Sequence, residues 1–209
     1  NLVKFLFLLF TKVYFIMIKV IHRANTISEL EKIDINYGVE IDLRNHENVI
    51  ILSHDPGKNG ESLSRYLNHY KHKLLIANIK EAGIEINVIN ELEKNNIKNF
   101  FLLDIEFPFL LNNHEKYGNY LSLRYSRYES IKTIENFIGK VEWVWIDTYS
   151  DFELNSEISN VLREFKICLV SPSRWNQNDK FDYYIRKLGD FKLNIDAIMI
   201  ENNNITKSD

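Results

Sequence analysis

Cysteine is nearly missing from this chain of 209 residues, where Cys168 stands alone. A single thiol excludes an internal disulfide framework and a thiolate metal cluster. Its place in the apolar run Ile167-Cys168-Leu169-Val170 marks it as a core residue. Glycine is scarce as well: seven are scattered through the chain with no G-x-G-x-x-G among them, so the phosphate loop of a dinucleotide-binding open sheet is absent. There is no large excess of charge of either sign. A net charge of −3 argues against a general nucleic-acid binder.

What is present suits a folded domain. The sequence is 45% hydrophobic and 26% charged, which excludes disorder and gives a single domain enough material for a substantial core. Residues 1–16 are more apolar than the rest. The stretch between Lys4 and Lys12 is seven residues, too short to cross a bilayer, and no small-residue cleavage site follows it. Three readings stand for this extension: a signal or anchor, an extra helix closing one end of the domain, or sequence upstream of a start at Met17. We favour the last, because a strand ending in reactive side chains begins directly after it. A start at Met17 implies a cytoplasmic protein. A genuine signal or anchor implies one that is membrane-associated or exported. No stable membrane span is expected in either case.

Short apolar runs alternate with amphipathic stretches along residues 17–209. The runs are 18–21, 38–43, 49–53, 74–79, 99–103, 120–123, 141–146, 166–170 and 197–200. Helical spacing is found at 27–36, 61–70, 85–95, 109–117, 130–137, 154–165 and 178–191, several opened by Ser or Asn. Run 49–53 follows 38–43 too closely for a crossover helix and reads as the return of a hairpin. Eight strands separated by seven helices remain, which predicts a compact α/β (β/α)8 TIM barrel with little chain left for a final helix. A doubly wound open sheet is the alternative.

Active sites of such barrels sit at the carboxyl ends of the strands. The runs end here in His22, Glu40 and Asp42, Asn78 and Lys80, Asp104 and Glu106, Arg124, Asp147, Ser171 and Glu201. Glu40 and Asp42 are two apart on one strand and share a face, so they offer hard oxygen ligands to Mg²⁺ or Ca²⁺. His22 and His54 bracket them in sequence. A cation beside two groups that titrate near neutrality is equipment for phosphoryl chemistry.

The spacing His22-Arg23, Glu40-x-Asp42, His54-Asp55 resembles the glycerophosphodiester phosphodiesterase family, TIM barrels of the phospholipase-C-like phosphodiesterases. The resemblance runs over most of the chain from Lys19, with its specific motifs between His22 and Lys80. It implies that His22 and His54 are the acid and base, that Glu40 and Asp42 hold a divalent cation, and that Arg23 and Lys80 contact the phosphoryl group. The substrate it implies is a small phosphodiester, a glycerophosphodiester or a related phosphorylated polyol or lipid headgroup. Two residues depart from the family pattern. Ala24 replaces a glycine after His-Arg, and Asn78 replaces a carboxylate two residues before Lys80. Either the metal is held more loosely, or Asp104 supplies the missing carboxylate. Loss of useful catalysis with retention of a phosphate pocket, or release of a cyclic phosphate without hydrolysis, are the alternatives.

Other residues have plainer explanations. His46, His69, His72 and His114 read as surface or capping histidines. Asp104 and Asp147 suit either the site or a strand-ending turn. Arg124 and Arg127 suit either a phosphate-binding pair or surface ion pairs. Trp143 and Trp145 share a strand face and read as core. Residues 201–204 read as a solvated tail, except for Glu201, which can face the barrel mouth.

Overall fold

Ile and Val dominate the first described strand, and β-branched side chains fit the pleated surface of a buried parallel sheet. The computed structural model describes residues 17–202. Its strands are β1 (Ile18–Ile21), β2 (Gly38–His46), β3 (Val49–Leu52), β4 (Leu75–Ile79), β5 (Phe100–Leu103), β6 (Ser122–Tyr125), β7 (Trp143–Ile146), β8 (Lys166–Val170) and β9 (Ala197–Ile200). Between them run helices α1 (Ile27–Leu30), α2 (Leu63–Leu67), α3 (Glu85–Lys94), α4 (Phe107–Tyr117), α5 (Ile131–Glu135), α6 (Ser156–Leu162) and α7 (Phe181–Asp190).

The strands hydrogen-bond in the order β5-β4-β2-β1-β9-β8-β7-β6, all parallel, while β3 pairs antiparallel with the far end of β2. The seam between β5 and β6 is narrow. It holds a parallel bridge from Leu102 to Leu121 and a hydrogen bond from Ser122 Oγ to Leu102 O at 2.7 Å. The predicted eight-stranded barrel is therefore present and nearly closed. The β2–β3 hairpin turns through Glu47 and Asn48, both left-handed at φ 49° and 64°, as a tight primed turn requires.

Alternation along the strands makes two cores. One packs strands against helices and includes Val39, Ile41, Leu43, Val144 and Ile146. The other fills the barrel with Val20, Ile76, Phe101, Leu103, Trp143, Trp145, Cys168, Val170 and Met199. Trp143 stacks on Phe101 with ring centroids 4.6 Å apart, so its reading as core holds, and so does that of Cys168, which is fully buried. The β2 positions that alternate with the outer core are Gly38, Glu40 and Asp42. Gly38 is needed for a close approach, since a Cβ there would lie 2.8 Å from Leu74 O.

Several helices are shorter than their periodicity predicts. The segment expected over 27–36 is helical only at Ile27–Leu30, begun by a capping box between Thr26 and Glu29. It stops at Leu30 with Glu31 as its C-cap, and farther on Asn36 N–H and Nδ2 both donate to Asp34 Oδ1 in a local turn. Ser62, Ser130 and Asn155 cap α2, α5 and α6 as their sequence suggests. The run expected at 120–123 pairs instead as Ser122–Tyr125, because residues Gly118–Tyr120 form a 3₁₀ turn. That shift places Arg124 within the strand. The expectations for residues 1–16, and for an incomplete final helix beyond Asn202, fall outside the described residues. Among the described residues no helix is long and apolar enough to cross a membrane.

Candidate active site

The carboxyl ends of the strands surround a cavity of about 120 Å³ lined by His22, Glu40, Asn78, Lys80, Asp104, Arg124 and others. About four water volumes fill such a space, which is room for a phosphoryl group but not for a whole diester. A wider hollow of about 560 Å³ lies at the opposite ends of the strands, where Glu142, Lys166 and Asp196 mix both signs of charge.

Two strand ends bend sharply into this cavity. Arg23, after β1, and Asp104, after β5, take the left-handed conformation at φ 55° and 59°. Such geometry costs a non-glycine residue of order 1 kcal/mol and is held by the surrounding contacts. At Arg23 it aims the backbone N–H at Glu40 Oε2, 2.8 Å away. Ala24, where the resembled pattern has glycine, is fully buried, and its backbone N–H donates to Glu40 O at 2.9 Å. Its own carbonyl accepts from the Tyr66 hydroxyl at 2.8 Å.

Glu40 and Asp42 are both buried. Asn78 Nδ2 donates to Glu40 Oε1 at 2.8 Å. Asn25 grips Asp42 twice: its Nδ2 donates to Asp42 Oδ2, and its Oδ1 accepts from Asp42 N–H, each at 2.8 Å. Lys80 Nζ stands 3.4 Å from Asp42 Oδ1 and 3.4 Å from Asp104 Oδ2. Burial and the neighbouring Asp42 charge push the Glu40 carboxyl up to about 7, against the hydrogen bonds from Asn78 and Arg23.

Across the mouth, Arg124 is clamped between two carboxylates. Its Nε donates to Asp104 Oδ1 at 2.7 Å and its Nη1 to Asp147 Oδ2 at 2.9 Å. Its guanidinium also lies over Trp145, 5.8 Å from the ring centroid, so Trp145 serves both the barrel core and the cavity wall. His22 Nδ1 is 3.3 Å from Glu201 Oε1, which is also 3.2 Å from Arg174 Nε. Glu201 therefore faces the mouth, not the solvent tail. Burial, then the Arg174 and Arg23 charges, push the His22 imidazole down to about 3, so it is neutral at physiological pH.

Of the residues singled out in the sequence, His22, Arg23, Glu40, Asn78, Lys80, Asp104, Arg124 and Asp147 line this one cavity, and Asp42 lies against it through Lys80. His54 does not line it. Ser53 N–H donates to Asp42 O at 2.9 Å, so His54 follows at the rim, half-exposed, with its Nδ1 2.8 Å from Asp55 Oδ1. Arg127 is exposed on the loop after β6 and is no partner of Arg124 in the cavity. His72, expected at the surface, is buried: its Nε2 donates to Ile33 O at 3.1 Å and its ring sits against Tyr70.

Three residues escaped the sequence reading. Asn25 follows the His-Arg pair, and only the strand pairing of β1 and β2 reveals its grip on Asp42. Arg174 and Trp175 belong to the Pro172–Trp175 turn after β8, begun by a Ser171 cap. The available signal was their position just beyond a strand end. With Tyr128 and Tyr149 from the two preceding loops, Trp175 forms an aromatic wall. Tyr128 stacks on Tyr149 at 5.8 Å, and Tyr149 meets Trp175 edge-on at 5.8 Å.

The implied Mg²⁺ or Ca²⁺ can be tested against these donors. A hard cation needs six or more oxygens at about 2.0–2.6 Å. Both oxygens of Glu40 accept hydrogen bonds, Asp42 Oδ2 accepts from Asn25, and Asp42 Oδ1 faces the Lys80 ammonium. Asp104, the suggested substitute ligand, is engaged by Arg124 and Lys80. Asp42 Oδ1 and Asn78 Oδ1 are both buried without a hydrogen-bond partner, but the first faces the Lys80 ammonium and the second is a single neutral ligand. Among the described residues no three His, Cys, Asp or Glu side chains are grouped to hold a metal ion. As arranged, the residues do not fit the ion.

No protein-family model matches the sequence, and neither does any curated protein. Solved structures do match. A glycerophosphodiester phosphodiesterase from Agrobacterium tumefaciens superposes with a TM-score of 0.63 at 12% identity, over 90% of this chain and 97% of the other. A glycerophosphoryl diester phosphodiesterase from Parabacteroides distasonis gives 0.58 at 13% identity, over 90% and 83%. The phosphoribosylanthranilate isomerase of Pyrococcus furiosus, another barrel, gives 0.51 at 9% identity, over 91% and 90%. Likeness at such identity establishes the fold: this chain is a (β/α)8 barrel similar in architecture to the glycerophosphodiester phosphodiesterases that its motifs resemble.

Proposed function

We propose that the chain cleaves phosphodiesters, with glycerophosphodiesters or related phosphorylated polyols and lipid headgroups as the substrate class. One observation carries the reading: a part-buried, neutral histidine, His22, opens on a phosphoryl-sized cavity that Arg23, Lys80, Arg124 and Arg174 also line. Two phosphodiesterases of the same architecture support it, although barrels with other chemistry superpose too.

In this reading the phosphoryl group enters the cavity and takes hydrogen bonds from Arg124 and Lys80, which loosen from Asp104. The alcohol portion stays outside, against Tyr128, Tyr149 and Trp175. A phosphate anion beside His22 offsets the Arg174 and Arg23 charges that hold its basicity down, so the imidazole gains proton affinity when substrate is bound. His22 then accepts the proton of the attacking hydroxyl or water as the new O–P bond forms. The O–P bond to the leaving alcohol breaks, and that oxygen is protonated by His54 from the rim. Attack by a neighbouring substrate hydroxyl gives a cyclic phosphate first, and attack by water gives the monoester directly.

The test is turnover of a panel of glycerophosphodiesters followed by phosphorus NMR, with His22→Ala and His54→Ala beside the parent protein. General acid–base catalysis is worth about 10²–10⁴-fold, and His22→Ala should lose that much. Turnover that survives both substitutions overturns the mechanism. A second reading, a barrel that binds a phosphorylated ligand without cleaving it, draws on the pairing of Lys80, Arg124 and Arg174 with carboxylates. Binding of glycerol 3-phosphate with no product from any diester would favour it.

A further inference from the structure

We propose that this mouth works without a tightly bound divalent cation, the contact that would bridge two carboxylates through an ion being replaced by the Asn78–Glu40 hydrogen bond and the Lys80 ammonium. The inference rests on reading the mouth as a phosphate site, but its test needs no turnover.

Strands β2 and β4 pair in register, Asp42 opposite Asn78, so the side chains of Glu40, Asp42 and Asn78 crowd one corner of the barrel. Two carboxylates meeting there would repel and would need a cation between them. A carboxylate and an amide need none: Asn78 Nδ2 donates directly to Glu40 Oε1 at 2.8 Å. Reversing the amide would set its oxygen against Glu40, so the donor orientation is the one the site demands. The second acid is served in the same way. Asp42 receives Asn25 on Oδ2 and faces Lys80 Nζ at 3.4 Å on Oδ1, with Arg23 Nε 3.6 Å from Oδ2.

Charge accounting reaches the same result. Arg23 and Lys80 supply two positive charges beside Glu40 and Asp42, which together carry at most two negative ones, so the corner has no surplus negative charge to draw an ion. A divalent ion entering it would have to displace the Lys80 ammonium to reach Asp42 Oδ1 and the Asn78 amide hydrogens to reach Glu40 Oε1, while Asn78 Oδ1, which also lacks a hydrogen bond, is neutral. The same lysine reaches Asp104, so the positive charge offered to a phosphate comes from a side chain that can shift between partners.

Isothermal titration of the full chain with MgCl₂ and with CaCl₂ tests this, beside Asn78→Asp and Lys80→Met. The parent protein should show no binding tighter than about 1 mM, the weak end of protein calcium sites. Asn78→Asp removes the amide donor and adds a charge, and should bind at least about tenfold tighter, with a cation-dependent rise in Tm that the parent lacks. Lys80→Met unblocks Asp42 Oδ1 and should move in the same direction. Binding by the parent tighter than about 1 mM overturns the proposal. Should Asn78→Asp fail to fold by circular dichroism, the parent and Lys80→Met titrations decide. Folded variants that gain no affinity overturn the roles given to Asn78 and Lys80. A failure of the phosphodiester reading looks different: no diester yields product, whatever the cation titrations show.

Discussion

The two sides of the barrel mouth carry similar residues and hold them differently. On the β1–β2–β4 side, Glu40 and Asp42 are fully buried and are fixed by amide and backbone donors from Asn78, Asn25 and Arg23. On the β5–β6–β7 side, Asp104 and Arg124 are part-exposed and joined by an ion pair that water can reach, while the second partner of Arg124, Asp147, is buried behind it. Buried polar groups lose far more when a partner is removed than exposed ion pairs do. The first side is therefore scaffold. The second, with Lys80 between them, is the side that can open to an anion.

Asp42→Ala breaks the comparison hardest. It removes the buried carboxylate that accepts from Asn25 and faces Lys80, and should cost about 3–5 kcal/mol in urea unfolding. Stability against pH separates the sides next. The Glu40 carboxyl is raised to about 7 when folded, so the folded state holds the proton more tightly than the unfolded chain. Its contribution is full below the unfolded value near 4.5 and is lost as pH rises through 7. His22 and His72, both lowered by burial, act in the opposite direction: their contributions are full above about 6.5 and fall in acid. Unfolding of the parent and of Glu40→Gln at pH 5 and pH 8 should thus differ in slope, the parent losing about 2 kcal/mol relative to the variant. A parallel pair of slopes would mean that Glu40 is ionised throughout. The smaller stability effect falls on the part-exposed side, where Arg124→Met breaks an exposed pair with Asp104 and a contact with the buried Asp147 and should cost about 1–3 kcal/mol. The same change should weaken glycerol 3-phosphate binding about tenfold or more, roughly the loss of one charge-assisted hydrogen bond. Equal stability losses for Asp42→Ala and Arg124→Met would erase the distinction.

Much of this was legible in the chain. Apolar runs identified all nine strands among the described residues, because a strand buried on both faces must be almost continuously apolar. The antiparallel return of β3 followed from a connection too short for a helix. Site residues were found because they end such runs. Helix lengths were less legible, since residues 27–36 keep a helical spacing while Asp34 and Asn36 form a local turn. His72 looked like a surface residue because nothing local shows that Ile33 and Tyr70 close over it. Arg174 and Trp175 were missed because they lie past a strand end in a turn of no regular period.

The sequence by itself determined the barrel, the strand ends that bear chemistry and the residue, Asn78, that departs from the resembled pattern. Periodicity and spacing are local properties, and they survive without knowledge of neighbours. Only the tertiary structure decided what each polar group faces. It gave Asp42 to Asn25 and Lys80, gave Asp104 to Arg124, left His54 outside the cavity lining, and set donors of the protein against Glu40 and Asp42, the expected metal ligands. Hydrogen-bond and ion partners separated by 17 to 38 positions meet only when the sheet closes.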